Sequence, residues 1–296
     1  MKTLKIVSLL LCLHFCSGSY TQEIDRSATI GLFAGTINYQ GDLNPNSFTL
    51  RHSNLAIGFS IRKPLSRWFS FRAGITAGTI KSSDSWNRDY LKSRNLSFTT
   101  SIKEVYAGLE ITILDLSSKR FTPYVYGGIA VFHFNPWTYD DLGEKVYLKP
   151  LSTEGQGLAA YPEQKNYSLT QIALPFGVGV RYAISDAISV GIEFNQRKSF
   201  TDYIDDVSTH YVDRNILLQA KGSKAVEMAY RGGQSPLGQP QYPQHGEQRG
   251  TPSEMDWYYF LGITLECKLN AFSSLFGAHI DKKGIASQRC PRNIAF

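Results

Sequence analysis

Eight segments of the sequence alternate apolar residues with small or polar ones at a period of two, the pattern of a β-strand with two different faces. A helix would instead repeat its apolar residues every three or four positions. The segments span residues 28–39, 54–63, 68–80, 96–114, 121–135, 169–184, 187–199 and 256–268. Composition agrees, because Tyr, Phe and Gly number 17, 17 and 25 and charged residues make up only 19%. The sequence therefore predicts an all-β fold.

The connections between these segments alternate strictly between short and long. The short ones follow the second, fourth and sixth segments, at residues 64–67, 115–120 and 185–186. The long ones follow the first, third, fifth and seventh, at residues 40–53, 81–95, 136–168 and 200–255. This sorting is typical of membrane barrels, which have turns on one side of the bilayer and loops on the other. It predicts an eight-stranded antiparallel transmembrane β-barrel with long extracellular loops and short periplasmic turns.

The two faces of the predicted strands indicate which side points inward. In segment 54–63, Leu55, Ile57 and Phe59 share one face, while small or polar residues occupy the other. A soluble barrel would turn the apolar face inward, but here the glycine-rich face also carries the charges and is predicted to line the lumen. Charges of both signs can neutralise each other there. We expect a network that plugs the lumen, formed by Arg62, Arg72, Arg181, Glu104, Glu110, Glu193 and Glu266.

The N-terminus predicts export. Lys2 and Lys5 precede an apolar run at residues 6–15, and small residues follow at 17–19, so residues 1–19 are interpreted as a cleaved signal peptide. The alternative, lipidation at Cys12 or Cys16, lacks the small preceding residue that such processing needs. Residues 20–268 then form the barrel, and the predicted location is the cell outer membrane.

Three features lie outside the strand pattern. Residues 231–250, inside the loop 200–255, are rich in Gly, Pro and Gln and are predicted to be disordered. Cys267 and Cys290 remain in the mature chain and either form a disulfide or stay free. The basic tail 269–296 is predicted to be periplasmic, and it is either a solvated end or a docking segment for an acidic partner through Lys282, Lys283, Arg289 and Arg292.

Motifs for catalysis or nucleotide binding are absent from the sequence: it has no P-loop, HExxH, GxSxG or paired CxxC. Asp202, Asp205 and Asp206 form an acidic group, but the spacing of a calcium-binding EF-hand is missing, so no metal site is predicted. No cofactor and no nucleic-acid partner are expected either. A membrane-embedded hydrolase or acyltransferase would need a catalytic cluster at the barrel rim. The candidate residues for it are His133, His210, Asp84 and Ser152, and their spacing is not distinctive.

Five stretches resemble the PorG-like outer-membrane barrels of Bacteroidota, which are components of the type IX secretion system. They are INYQGDL (37–43), TPYVYGGIAVFHFNPW (122–137), LKPLSTEGQG (148–157), SLTQIALPFGVGVRY (168–182) and FTDYIDDVS (200–208). The resemblance implies a non-enzymatic barrel that anchors or organises a protein secretion apparatus. It also implies association with periplasmic ring subunits of the PorK and PorN type, and it offers no catalytic residues to carry over.

Two other functions remain open at this stage. A small porin or transport channel would need a wide polar lumen, which the balanced Arg and Glu interior disfavours. A membrane-embedded enzyme would need a cluster of acid, base and nucleophile at the rim.

Overall fold

A computed structural model describes residues 27–46, 48–87, 89–114 and 119–271. Within these residues eight long strands form one antiparallel sheet that closes on itself, because each pairs with two neighbours and β3 pairs with β4 to complete the ring. These strands are β1 Thr29–Gln40, β2 Asn54–Pro64, β3 Phe69–Ser83, β4 Ser97–Thr112, β5 Phe121–His133, β8 Thr170–Ala183, β9 Ile188–Ser199 and β10 Trp257–Lys268. Two short strands, β6 Trp137–Tyr139 and β7 Lys145–Tyr147, lie in a loop.

The predicted fold class, an all-β eight-stranded antiparallel barrel, is confirmed. Strand ends differ from the sequence pattern by no more than three residues, and the largest shift is in β3, which continues to Ser83. The strand ends that flank the three connections predicted to be short all lie at one end of the barrel. β1 begins and β10 finishes at that same end, and the long loops occupy the other.

The barrel is apolar outside and charged inside. Leu55 and Val105 point outward and are 73% and 63% exposed, whereas Arg181 and Glu110 point into the lumen and are at most 1% exposed. The apolar residues on the outer face form a continuous belt around the strands, as the period-two pattern requires. At the turn end this belt finishes in exposed aromatic side chains, which are Trp68, Phe69, Phe71, Phe121 and Tyr182. Such an arrangement suits a lipid solvent, with aromatic rings at the interface.

The sheet continues beyond the barrel at the loop end. β5 ends at His133, which leaves the loop-side part of β4 without a partner on that edge. The hairpin of β6 and β7 fills the edge, with Trp137 paired to Thr99. Strands of three residues are too short to show the period-two pattern, so the sequence does not reveal them inside a long loop.

The long loop 200–255 is folded. Its helices are α2 Arg214–Lys221 and α3 Ser223–Ala229, while a shorter helix, α1 Asp89–Lys92, lies in the loop between β3 and β4. Asp213 caps α2 by accepting hydrogen bonds from two backbone amides, and Gly222 separates the helices with a φ of 83°. Leu217 and Val226 pack in a small core between them. No helix in the described part of the chain is long and apolar enough to cross a membrane.

The expected disorder of residues 231–250 is not what the structure describes. A short 3₁₀ helix spans Gly232–Gln234, and Arg231 forms an ion pair with Asp141 at 3.3 Å. Arg249, at the end of the stretch, is 3% exposed and pairs with Glu154 at 2.7 Å. Composition failed here because a few arginines anchor the stretch to the rest of the loops, so it needs few apolar contacts of its own.

Candidate functional site: the plugged lumen and the loop cap

The lumen is crossed by ion pairs between strands on opposite sides of the barrel. Arg181 on β8 reaches Glu110 on β4 at 3.0 Å and Glu266 on β10 at 2.9 Å. Arg62 on β2 reaches the same Glu266 at 3.1 Å. Arg72 on β3 donates two hydrogen bonds to Glu193 on β9, one of them at 2.9 Å, and lies 3.7 Å from Glu110. The six charges thus form one connected network. In this network Arg72 is hydrogen-bonded to Glu193 and lies farther from Glu110 on the adjacent strand.

The seventh predicted charge, Glu104, has a partner that the sequence analysis missed. Arg197 on β9 donates three hydrogen bonds to the Glu104 carboxylate at 2.9 to 3.1 Å, and the Tyr258 hydroxyl donates a fourth at 2.8 Å. The signal was present, because Arg197 follows Glu193 by four residues and therefore lies on the same face of β9. With Arg197 included, four arginines face four glutamates inside the barrel.

Aromatic rings fill the space that the charged groups leave. The Arg181 guanidinium lies 4.4 Å from the centre of the Tyr124 ring, and Arg197 lies 5.0 Å from that of Phe260. A cavity of about 10 Å³ remains beside Arg72, enough for one water molecule. The lumen around Arg72 is therefore closely packed by charged and aromatic side chains.

Above the lumen, the long loops pack into a cap. A ladder of stacked rings leads into it from the barrel: Phe132 and Phe134 lie 5.7 Å apart, Phe134 and Tyr167 6.2 Å, and Tyr167 and Tyr203 4.7 Å. Glu154 ties two loops together, because it accepts hydrogen bonds from the backbone amides of residues 208 and 209 at 2.9 and 3.0 Å. The cap is thus a second packed layer over the mouth of the barrel.

Buried carboxylates are concentrated in this cap. The Tyr39 hydroxyl lies 2.5 Å from an Asp205 oxygen and 2.9 Å from an Asp256 oxygen, and backbone amides donate further hydrogen bonds to these two carboxylates. Asp206 accepts from Thr153 and Tyr167 at 2.6 and 2.7 Å. The groups that donate to these carboxylates are neutral hydroxyls and backbone amides. Among the described arginines, only Arg94 and Arg249 form ion pairs in this part of the cap.

Asp202 differs from the other carboxylates of the cap. It is 4% exposed, and neither of its oxygens has a hydrogen-bond partner among the described residues. Burial, with a smaller contribution from the negative charge of Asp205, raises the pKa of Asp202 to about 9. Burial likewise raises the pKa of Asp205 to about 8 and that of Asp206 to about 6. The cap therefore retains protons that exposed aspartates would release.

A family model described as a domain of unknown function, DUF6089, matches residues 4–217. The chain belongs to the DUF6089 family. Among curated protein sequences, none matches this DUF6089 chain.

Solved outer-membrane proteins are similar to this DUF6089 chain at low sequence identity. Neisserial surface protein A is 9% identical over 82% of this chain and 97% of its own, with a TM-score of 0.42. OprG from Pseudomonas aeruginosa is 9% identical over 82% of this chain and 97% of its own, with a TM-score of 0.37. The E. coli outer membrane protein W is 10% identical over 83% of this chain and 100% of its own, with a TM-score of 0.33.

The four rim residues nominated for catalysis have separate partners in the DUF6089 chain. His133 faces outward and lies 3.1 Å from the Thr170 hydroxyl, whereas His210 bridges to Gln248 within the cap. Asp84 is paired with Arg94 at 2.8 Å, and Ser152 ends a 3₁₀ helix with a left-handed backbone. No shared hydrogen bond connects the four in the described chain.

The remaining predicted sites fall at the edges of the described chain. No three His, Cys, Asp or Glu side chains within it are arranged to hold a metal ion. Cys267 is half-buried and has no disulfide partner among the described residues, and Cys290, with which it could pair, lies outside them. The same holds for the signal peptide and for the docking residues Lys282, Lys283, Arg289 and Arg292.

Proposed function

We propose that this DUF6089 protein is a non-enzymatic barrel of the outer membrane that anchors or organises a protein secretion apparatus of the type IX kind. The observation that carries the proposal is the combination of an apolar outer belt with a lumen closed by four Arg–Glu combinations. The belt favours a lipid surrounding, because contact between water and such a large apolar surface is unfavourable. A closed lumen leaves the two ends of the barrel as its working surfaces.

The closed lumen argues against the porin alternative. Conduction needs a continuous polar path, and here each guanidinium is matched by a carboxylate that it would have to leave for a path to open. Separating a buried ion pair strands two charges and costs several kcal/mol. An anchor has no such requirement, and a rigid plugged barrel suits it.

The rim argues against the enzyme alternative. A hydrolase needs a nucleophile, a base and an orienting acid within hydrogen-bond reach of one another. In this chain the nominated base His133 points to the lipid side, and Asp84 is neutralised by Arg94 in the cap.

The proposed partners are periplasmic ring subunits of the PorK and PorN type, which the sequence resemblance implies. The turn end of the barrel offers these partners little surface, since its connections are short. The basic tail 269–296 follows β10 on that end and carries Lys282, Lys283, Arg289 and Arg292. Their charge suits an acidic partner surface, and such contacts weaken as salt screens them.

A truncation after Asn270 tests the partner proposal, because all eight barrel strands remain in the shortened chain. The truncated barrel should reach the outer membrane in normal amounts but capture less of the ring subunits after crosslinking in whole cells. A full-length variant with the four basic tail residues changed to Gln serves as the control for charge, and it should show a similar loss. Wild-type capture by both variants, at low and high salt, would refute tail docking.

A further inference from the structure

Cationic and hydroxyl side chains form a strip on the outer face of the barrel, just above the apolar belt at the loop end. In β3 and β4 the strip includes the outward-facing Lys81, Thr99, Ser101 and Lys103. Below it the same strands turn apolar, as at Val105, which is 63% exposed. This position corresponds to the level of lipid headgroups, if the belt marks the hydrocarbon core.

The strand register arranges the polar residues of the strip in two rows. Lys103 lies directly opposite His133 on the neighbouring strand, and His133 in turn lies opposite Thr170. Side chains opposite each other in an antiparallel pair have Cβ atoms about 5 Å apart. Two pleat repeats further up the barrel, about 13 Å along the strand, Lys81 begins a second row that continues through Thr99 to Trp137.

The two lysines of the strip are not neutralised within the described chain. Neither Lys81 nor Lys103 has a carboxylate at ion-pair distance, and the outward positions in the loop-side half of β3, β4, β5 and β8 contain no Asp or Glu. Inside the barrel, by contrast, every arginine has its glutamate. An unpaired charge at the border of a lipid phase is costly, and an anionic ligand would compensate for it.

The hairpin of β6 and β7 extends the strip outward. Trp137, Tyr139, Lys145 and Tyr147 share its outer face, with the Lys145 ammonium 4.3 Å from the centre of the Trp137 ring and 4.8 Å from that of Tyr147. Amphipathic aromatic rings beside cations are the side chains that favour a headgroup layer.

The opposite side of the barrel rim is covered by the protein itself. Phe48 packs against Phe194 and Tyr259 with ring centres 5.6 and 5.9 Å apart, and the Tyr259 hydroxyl donates to the carbonyl of Thr49 at 2.6 Å. The loop between β1 and β2 thus shields the outer face of β9 and β10. Among the described residues, none covers the face that carries Lys81 and Lys103 in this way, and both lysines are exposed.

We propose that this strip binds the phosphate groups of an outer-leaflet glycolipid, with Lys81, Lys103 and His133 as phosphate ligands and the hairpin rings against its sugars. Charge complementarity identifies the occupant as anionic, and the position beside the apolar belt identifies it as a lipid. Neighbouring hydroxyls supply further hydrogen-bond donors. The inference rests on the membrane location in the proposed function, but not on the secretion partners.

Native mass spectrometry of the full-length barrel, refolded in detergent, tests the strip directly. The probes are bisphosphorylated lipid A, the same lipid without phosphates, and inorganic phosphate. The wild type should retain the phosphorylated lipid at least about tenfold better than the dephosphorylated one, which is the worth of one charge-assisted contact. Inorganic phosphate should not displace it. The triple variant Lys81→Gln, Lys103→Gln and His133→Gln should lose this preference.

Lys63→Gln is the matched control, because Lys63 is also exposed on the lipid-facing side but lies at the turn end, opposite Phe71 and without a second cation. It should bind phosphorylated lipid A within about twofold of the wild type, less than the worth of one surface ion pair. Equal losses in both variants, or equal binding of the two lipids by the wild type, would overturn the inference and leave the membrane location intact. Failure of the folded wild type to insert into vesicles would overturn both.

Discussion

The ion pair of Arg197 and Glu104 allows a quantitative test of the plugged lumen. Both side chains are at most 2% exposed, and Arg197 donates all three hydrogen bonds of the pair to one carboxylate. Arg197→Met would keep the volume but leave Glu104 with only the hydroxyl of Tyr258. Removing one partner of a buried pair costs about 3–5 kcal/mol, so the free energy of unfolding should fall by that amount. Glu104→Gln should cost a similar amount.

The double variant should recover part of this loss, because no charge is then left unpaired in the lumen. We expect a coupling free energy of about 2 kcal/mol from the double-mutant cycle. The assay is guanidinium unfolding from phospholipid vesicles, followed by tryptophan fluorescence. Lys224 and Asp140 in the cap are the comparison pair, because Lys224 is 40% exposed, solvent screens its charge, and the coupling of this pair should be much smaller. Strictly additive effects for Arg197 and Glu104 would refute the network.

Three further predictions concern the barrel wall, the cap and the topology. Gly128→Val should prevent folding, because a Cβ there would lie 2.7 Å from the Cα of Gly108. Gly127→Val should fold, because a Cβ at that position meets nothing within 4 Å. Equal refolding yields of the two variants would contradict this prediction. The raised pKa of Asp202, about 9, means that its folded form holds a proton that the unfolded form releases near pH 4, so protection of the loops from hydrogen exchange should fall as pH rises through that interval. Asp202→Asn should flatten this dependence, and wild-type protection that rises with pH would contradict the sign. A cysteine in residues 231–250 should be labelled on intact cells and one in residues 64–67 should not; reversed labelling would invert the orientation.

The barrel itself could be predicted because every second residue of a membrane strand faces lipid and is apolar, while the residues between them face the lumen. Arg62, Arg72 and Arg181 could be placed in the lumen by counting along a strand, since the side-chain period is two. Their partners could not, because pairing depends on barrel closure and tilt: Arg72 lies nearer to Glu193 across the lumen than to Glu110 on the neighbouring strand. Arg197 was missed because the pattern was not followed to the end of its strand.

The cap was less accessible from sequence than the barrel, because loops have no period. Asp202, Asp205 and Asp206 were recognisable as an acidic group, but their burial and separate donors depend on contacts with distant loops. The disorder expected of residues 231–250 rested on composition alone. It did not take into account Arg249, whose side chain donates to Glu154 and to the carbonyls of Asp206 and Ala229.

Single-channel conductance in planar lipid bilayers tests the central claim, a membrane barrel with a closed lumen, most directly. Purified full-length protein would be inserted after folding is confirmed by the shift in gel mobility between heated and unheated samples. The folded wild type should insert without stable conductance steps, because the Arg–Glu network and the aromatic rings fill the lumen. Reproducible ohmic steps from the folded wild type would contradict the plugged lumen and favour the channel alternative.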